Sequence, residues 1–380
     1  MIPYSKHFID KDDIDAVVDV LRNKSITQGE IVHNLEKKIS QYVKSKYAVA
    51  VTSCSAGLHL SCNVLKIKNK NVVTSPITFA STASSILHSG GRLKFADISN
   101  KNINIDLKNI DKLNFNVHTI IPIHFSGAAV ELKNFRSKNP KINIIEDSAH
   151  AFGAKYKTGD MVGSCRHSDI SVFSLHPAKT ITSGEGGIIT TNNKDHYEKL
   201  KLISNNGVQK SRNDFKIKKY KNDMWYYEVQ ELGFHYRITD FQCALAISQL
   251  SKVDHFLKAR KKIVKNYDEA FKNFKNLYPA VDYLERKDSS NHLYVVRIKY
   301  KKIKKTRNMV MNYLKNKGII TQVHYIPITN HPLFKKYINK SVNLDNAKSY
   351  YDEALSLPLY YSLKEKEQEK VISELKKIVG

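Results

Sequence analysis

Residues 47–65, YAVAVTSCSAGLHLSCNVL, join two kinds of hydrophobic pattern. Residues 47–52 form a short apolar run that is typical of a buried strand, whereas residues 56–65 have the spacing of a helix. Small residues separate the two. A strand that passes through small residues into a helix is the repeating unit of α/β proteins. We therefore predict an α/β fold for this part of the chain.

The same alternation continues after this segment. Continuous apolar runs indicate strands that are covered by helices on both faces, as in a mostly parallel sheet. A helix is predicted over residues 79–87, and Asp10 with Asp13 predicts a capped helix near the start of the chain. The further strand candidates are residues 71–75, 93–98, 119–125, 142–146, 170–174 and 187–191.

The pattern changes near residue 238. One long helix is predicted over residues 238–255, followed by strands at 292–300 and 319–325 with a helix at 307–317 between them. The sequence Ser362-Leu363-Lys364-Glu365 predicts a capping box before a final amphipathic helix. These patterns predict a large domain over residues 1–240 and a smaller α/β domain over residues 241–380.

Composition limits the class of protein. No apolar run approaches the length that crosses a bilayer, and the first residues lack a secretion-signal pattern, so we expect a soluble cytoplasmic protein with no membrane contact. Four scattered cysteines predict neither disulfides nor a metal site. The 62 Lys and Arg residues against 36 Asp and Glu give a net charge of +26, which would suit nucleic acid, anionic lipid or phosphorylated substrates without choosing among them. The basic residues are mostly lysines spread over the whole chain, which is more typical of a solvated surface than of a docking groove.

Lys179 lies in SLHPAKTITSGEGG, residues 174–187, just after a predicted buried strand and before a glycine-rich turn. Apolar surroundings disfavour an ammonium ion, and the resulting free amine can attack a carbonyl group. A lysine here is a candidate nucleophile. A plain glycine-rich hairpin explains the same pattern.

Asp147 lies in IIEDSAH, residues 144–150, at the carboxyl end of a predicted strand, where open α/β sheets bind ligands. Pyridoxal 5'-phosphate (PLP) requires a lysine that carries it as a Schiff base and a carboxylate that keeps its ring nitrogen protonated. Lys179 and Asp147 are candidates for these two roles. A helix N-cap is the alternative interpretation of Asp147.

Two further segments fit such a cofactor. The small residues of TSCSAGL, residues 52–58, precede a predicted helix whose free amides would bind a phosphate. Phe79 begins the next helix, where its ring would lie on a flat cofactor or pack in the core.

These motifs occur together in one family. The sequences SAGLH (55–59), TFA (78–80), EDSAH (146–150), Ser174-x-His176-x-x-Lys179, GEGG (184–187) and LGxxYR (232–237) resemble those of the DegT/StrS-type sugar aminotransferases. The resemblance covers essentially the whole chain. IPYSK (2–6), ITQG (26–29), His176-Pro177 and TQVHYIP (321–327) look most like the pseudaminic acid branch.

The resemblance implies a fold-type I PLP-dependent transferase, similar to aspartate aminotransferase, with a three-layer large domain. It implies that Lys179 carries PLP and moves the proton, and that Asp147 pairs with the pyridine nitrogen. His150 would contact the ring hydroxyl and Phe79 would stack on the ring. The phosphate would be held by Cys54, Ser55, Ala56 and Ser174.

The resemblance also implies a homodimer with shared active sites. His235 stands where the family has an asparagine that reaches the neighbouring subunit's phosphate, and a histidine can still donate one hydrogen bond there. The implied substrates are L-glutamate and a UDP-linked 4-keto-6-deoxy-N-acetylhexosamine. The residues implied to lie near the nucleotide sugar are Tyr4, Lys24, Ser25, Ile26, Thr27, Ser55, Gln322, His324 and Tyr325. Tyr4 as a loop aromatic and His324 as a surface residue are the alternatives.

Other activities are also considered. A dehydratase offshoot of the family has histidine at the Schiff-base position, so Lys179 favours transamination. A sibling aminotransferase for another nucleotide 4-keto sugar, such as a perosamine precursor, is the main alternative. The charge would also suit a nucleic-acid-binding regulator, but no recognised nucleic-acid-binding motif is present.

Overall fold

A seven-stranded sheet is the centre of the computed structural model, which describes residues 1–338 and 342–380. Its spatial order is β1-β7-β6-β5-β4-β2-β3. Strand β7 runs antiparallel to both β1 and β6, and the other neighbouring strands of this sheet, from β6 to β3, are parallel. The strands are β1 (Tyr47–Val51), β2 (Asn71–Thr74), β3 (Arg92–Phe95), β4 (Thr119–Ile121), β5 (Asn143–Asp147), β6 (Ile170–Ser174) and β7 (Gly187–Thr191). The predicted mostly parallel α/β sheet is confirmed.

Both faces of this sheet are covered. In β1, Ala48 and Ala50 join one hydrophobic cluster, whereas Val49 and Val51 join another, because successive side chains of a strand point to opposite faces. The surrounding helices are α1 (Lys11–Asn23), α2 (Glu30–Val43), α3 (Cys54–Val64), α4 (Ala80–His88), α5 (Lys133–Lys138) and α6 (Lys194–Ser204). The result is the expected three-layer arrangement.

A smaller antiparallel sheet, in the order β10-β11-β12, lies in the C-terminal part of the chain. The remaining elements are the strand pair β8 (Val208–Gln209) and β9 (Glu228–Val229), then α7 (Asp240–Ser251), α8 (Val253–Phe271), β10 (Leu277–Pro279), β11 (Tyr294–Ile298), α9 (Arg307–Asn316), α10 (Asp345–Glu353), β12 (Ala354–Leu357) and α11 (Glu365–Val379). Thr239 is the N-cap of α7, and we retain the division at residue 240 as a proposal.

Three local predictions differ from the structure. The predicted helix over 238–255 is two helices, because Lys252 leaves the helical conformation at φ −103° and ψ 0°. The predicted strand over 319–325 forms no ladder, since Ile319 bridges Ile2 whereas Gln322 bridges Ser356. The N-cap of the final helix is Lys364, two residues after the predicted cap Ser362.

No helix in the described ranges is both long and apolar enough to cross a membrane.

Candidate active site

The carboxyl ends of β5 and β6 lie side by side at one edge of the large sheet. Asp147 is the last residue of β5 and Ser174 is the last residue of β6, and the two strands are parallel neighbours. A cavity of about 420 Å³ opens at this edge, and Asp147, Ser174 and Lys179 line it. The position is where open α/β sheets bind ligands.

The amino end of α3 forms one wall of the cavity. Ser53 caps the helix by accepting the backbone N–H of Ala56 at Oγ (3.1 Å) and that of Gly57 at its carbonyl (3.0 Å). Cys54 and Ser55 begin the helix and line the cavity. The first amides of a helix have no partner within it, so this wall is suited to an anion.

Gly187 allows β7 to approach this turn. A Cβ atom at Gly187 would lie 2.4 Å from the carbonyl oxygen of Ser53 and 2.6 Å from the nitrogen of Cys54. Both contacts are to backbone atoms, so the turn would have to move. Glycine at this position therefore preserves the anion-binding wall.

Asp147 is buried, and its carboxylate has two donors within the protein. Oδ2 accepts from Oγ1 of Thr82 at 2.7 Å, and Oδ1 accepts from the N–H of Ala149 at 3.2 Å. Burial raises the pKa of Asp147, while Thr82, the Ala149 amide and nearby Lys179 oppose the rise. A buried carboxylate of this kind is stabilised further by a cationic ligand group.

The amine of Lys179 faces the same cavity. Burial lowers the pKa of Lys179 to about 8, and the charge of Arg260 acts in the same direction. Cys54 and Asp147 oppose this change. A substantial fraction of the amine is therefore neutral near pH 8, as a nucleophile or proton acceptor requires.

His150 lies between two aromatic side chains. Its ring centroid is 4.4 Å from that of His292, and its Nε2 lies 2.9 Å from the hydroxyl of Tyr325. Burial, aided by the charge of Lys179, holds the pKa of His150 well below its usual range. The imidazole is therefore neutral. Its Nδ1 is buried and has no hydrogen-bond partner among the described residues.

Most residues predicted for the site line this one cavity. They are Tyr4, Cys54, Ser55, Phe79, Asp147, His150, Ser174, Lys179, His324 and Tyr325. Phe79 is 61% exposed, so it is not a core residue. His324 is only 8% exposed, which excludes the alternative that it lies on the surface. Asp147 is followed by a turn rather than a helix, which excludes the N-cap alternative.

The other predicted residues do not line the cavity within one chain. The predicted residues that are absent from its walls are Ala56, Lys24, Ser25, Ile26, Thr27, Gln322 and His235. Ala56 uses its amide to cap α3. His235 is exposed, and its Nε2 accepts from Nη2 of Arg237 at 2.7 Å. Their contact with a neighbouring subunit stays a prediction.

Sequence analysis missed two buried residues that support the site. Thr82 holds the carboxylate of Asp147, and His292 packs on the ring of His150. The helical spacing of 79–87 placed Thr82 on α4, but no sequence signal indicated which way its hydroxyl points. His292 lies 142 positions from His150 along the chain, and only the fold brings them together.

The residues present fit PLP. The amino end of α3 suits its phosphate, Asp147 suits its pyridinium nitrogen, and Lys179 suits its aldehyde carbon. The unpartnered Nδ1 of His150 is a further polar atom that a ligand could satisfy.

Comparison with known proteins supports this assignment. The model of the DegT/DnrJ/EryC1/StrS aminotransferase family matches residues 7–376. A Campylobacter jejuni protein named UDP-4-amino-4,6-dideoxy-N-acetyl-beta-L-altrosamine transaminase is 35% identical, over 96% of this chain and 93% of the relative. The spore coat polysaccharide biosynthesis protein SpsC of Bacillus subtilis is 34% identical, over 100% of this chain and 97% of the relative.

Solved structures agree in fold. Helicobacter pylori PseC, an aminotransferase involved in the biosynthesis of pseudoaminic acid, superposes with a TM-score of 0.90 at 29% identity, covering 100% of this chain and 99% of PseC. A sugar aminotransferase from Streptococcus pneumoniae, solved in a PLP form, gives a TM-score of 0.87 at 26% identity. The match covers 100% of this chain and 98% of the pneumococcal one. The chain belongs to the DegT/DnrJ/EryC1/StrS aminotransferase family and is a PLP-dependent sugar aminotransferase.

Proposed function

We propose that the enzyme moves the amino group of L-glutamate to C4 of UDP-2-acetamido-2,6-dideoxy-β-L-arabino-hexos-4-ulose, a step in pseudaminic acid biosynthesis. The activity for which the Campylobacter relative is named carries this proposal, because the two chains align over nearly their whole length. The net charge of +26 is compatible with two anionic substrates.

The chemistry is divided between cofactor and protein. When bound, PLP supplies the carbonyl carbon and the electron-withdrawing ring that let an amino group pass between two substrates. The protein must hold the cofactor and move a proton. Lys179 is the proposed proton carrier, since the surroundings that lower its pKa to about 8 keep part of its amine neutral.

Four other residues are proposed to hold the cofactor. Asp147 remains anionic and pairs with the pyridine nitrogen, which its two internal hydrogen bonds favour. The amides of Cys54 and Ser55 bind the phosphate, together with the hydroxyl of Ser174. Each of these groups binds or orients, and Lys179 alone moves the proton.

The sugar is proposed to bind beside Tyr4, His324 and Tyr325. All three line the cavity, and the rings of Tyr4 and His324 lie 5.7 Å apart. Burial lowers the pKa of His324 to about 4, so this imidazole is neutral and can bind a sugar hydroxyl or carbonyl. A cytoplasmic homodimer is part of the proposal, with residues 24–27 and His235 serving the neighbouring subunit's site.

The relative from Bacillus subtilis favours a second candidate. Its name refers to a spore coat polysaccharide, and it is about as similar to this chain as the Campylobacter protein is. The enzyme would then act on another nucleotide 4-keto sugar, such as the GDP-linked perosamine precursor.

Side-by-side assays distinguish these substrates. The purified enzyme with PLP is first converted to its amino form with glutamate, and excess glutamate is removed. UDP-linked and GDP-linked 4-keto sugars are then added separately, and return of the PLP absorbance is measured. Faster return with the UDP sugar supports the proposal, whereas preference for the GDP sugar supports the second candidate. Lys179→Ala should give no conversion with any substrate.

A further inference from the structure

Two buried threonines connect Asp147 to the cavity wall. Oγ1 of Thr82 lies 2.7 Å from Oδ2 of Asp147, and Oγ1 of Thr78 lies 2.7 Å from Oγ1 of Thr82. Thr82 is 0% exposed and Thr78 is 2% exposed. Thr78 also lines the cavity. The three side chains thus form a continuous hydrogen-bonded chain that reaches the cavity through Thr78.

The charge of Asp147 fixes the direction of this chain. An ionised carboxylate can only accept hydrogen bonds, so the single hydroxyl proton of Thr82 must point toward Asp147. Thr82 then has only lone pairs to offer Thr78, and Thr78 must donate to it. The proton of Thr78 is consequently turned away from the cavity, and its lone pairs are available to a ligand donor.

Protonation of Asp147 would remove this constraint. A protonated carboxyl can donate to Thr82, which could then donate to Thr78, and the whole chain could reverse. The order of donors and acceptors inferred for the two threonines therefore depends on the charge of Asp147. Asp147 is buried, and burial raises its pKa, so the carboxylate depends on such donors to remain ionised.

We infer that Thr82 is a positioning residue that keeps Asp147 ionised and aims its carboxylate at the pyridine nitrogen of PLP, with Thr78 orienting Thr82. The inference rests on the proposed role of Asp147. Thr82 contacts neither substrate nor cofactor in this scheme and acts through the carboxylate alone.

Four variants test this inference: Thr82→Val, Thr82→Ser, Thr78→Val and Asp147→Asn. Valine has the shape of threonine without its hydroxyl, whereas serine retains the hydroxyl. Thr74→Val is the matched control, because Thr74 is equally buried but donates to the carbonyl of Ile121. The dissociation constant of PLP is measured for each apoenzyme between pH 6 and 8.5, together with its thermal unfolding.

Loss of a hydrogen bond to a charged group should weaken PLP binding of Thr82→Val about tenfold. The loss should grow as the pH falls, since Asp147 without this donor becomes protonated at a higher pH. Thr82→Ser should restore tight binding, Thr78→Val should give a smaller loss, and Thr74→Val should match the wild type.

The outcomes separate the inference from the role on which it rests. If Asp147→Asn binds PLP as the wild type does at every pH, the proposed role of Asp147 is wrong. If Asp147→Asn weakens binding but Thr82→Val does not, only the inference is overturned. A Thr82→Val loss that is independent of pH, or that serine fails to reverse, would also overturn it, because it would indicate altered packing.

Discussion

The carboxylate of Asp240 accepts the backbone N–H of Gly29 at 2.8 Å, although the two residues are 211 positions apart. The same carboxylate accepts the amides of Ile31 and Val32, so Asp240 caps the amino end of α2 from another helix. Gly29 has no side chain that could do so. The amide of Asp240 also donates to the carbonyl of Ile26, which lies in the segment proposed to meet the nucleotide sugar.

Asp240→Ala should lower the free energy of unfolding by about 2 kcal/mol or more, because three amide donors at the end of α2 lose their shared acceptor. Asp240 is 0% exposed, so water would not replace it readily. Denaturant unfolding measures the effect. Asp111→Ala, at an exposed turn residue, is the control and should change stability little. Equal stability of the two variants would contradict the capping role.

Local signals in the sequence predicted those features that depend on near neighbours. The capping box of Asp10 and Asp13 is present at the start of α1, because both partners lie within one turn. Apolar runs likewise located the buried strands of the large sheet. The cap of α2 was not predictable in this way, since Gly29 carries no signal and Asp240 becomes its partner only in the folded chain.

The same limit applies to the active site. Asp147 and Lys179 were predictable because Asp147 ends one buried strand and Lys179 follows another, and parallel strands present their carboxyl ends at one edge. Their supporting residues were not. Glu146, adjacent to Asp147, accepts hydrogen bonds from the buried His124 and Tyr156 and from the partly buried Ser168, a cluster that no sequence spacing indicates.

Uptake of PLP should report the lowered pKa of Lys179. Only the neutral amine reacts with the aldehyde, so the uptake rate should rise with pH and level off above about pH 8. With an ordinary lysine, the midpoint of this rise would lie at about pH 10.4. The measurement follows visible absorbance after apoenzyme is mixed with PLP, between pH 7 and 10.5.

Lys179→Ala is the control for this titration. It should retain the fold but lose both the pH-dependent absorbance change and all turnover. Borohydride treatment of the wild type, followed by peptide mass analysis, should locate PLP on Lys179. A midpoint near that of an ordinary lysine, or attachment elsewhere, would contradict the prediction.

Acid should destabilise the protein through three histidines of the cavity. Burial lowers the pKa of His150, His292 and His324, in the last case to about 4. Between pH 6.5 and 4 the unfolded chain therefore binds more protons than the folded one, and the free energy of unfolding should fall as the pH falls. Above about pH 7.5, where these histidines are neutral in both states, they should add no pH dependence.

The variant His324→Gln isolates one of these contributions. Its unfolding free energy, measured in denaturant from pH 7 to 4.5, should depend less steeply on pH than that of the wild type, because one titrating group is gone. His255→Gln, on an exposed position of α8, is the control. A slope equal to that of the wild type would mean that His324 does not resist protonation.

Gly187→Ala should weaken PLP binding at least tenfold, because its Cβ would displace the backbone of Ser53 and Cys54 at the phosphate wall. Loss of stability alone would be a competing explanation, and Gly159→Ala separates the two. Gly159 has φ of +87° and open space around it, so alanine there costs about 1 kcal/mol of stability without touching the site. Gly159→Ala should lower the melting temperature but keep the PLP dissociation constant. If both variants bind PLP equally well, Gly187 does not preserve the phosphate site.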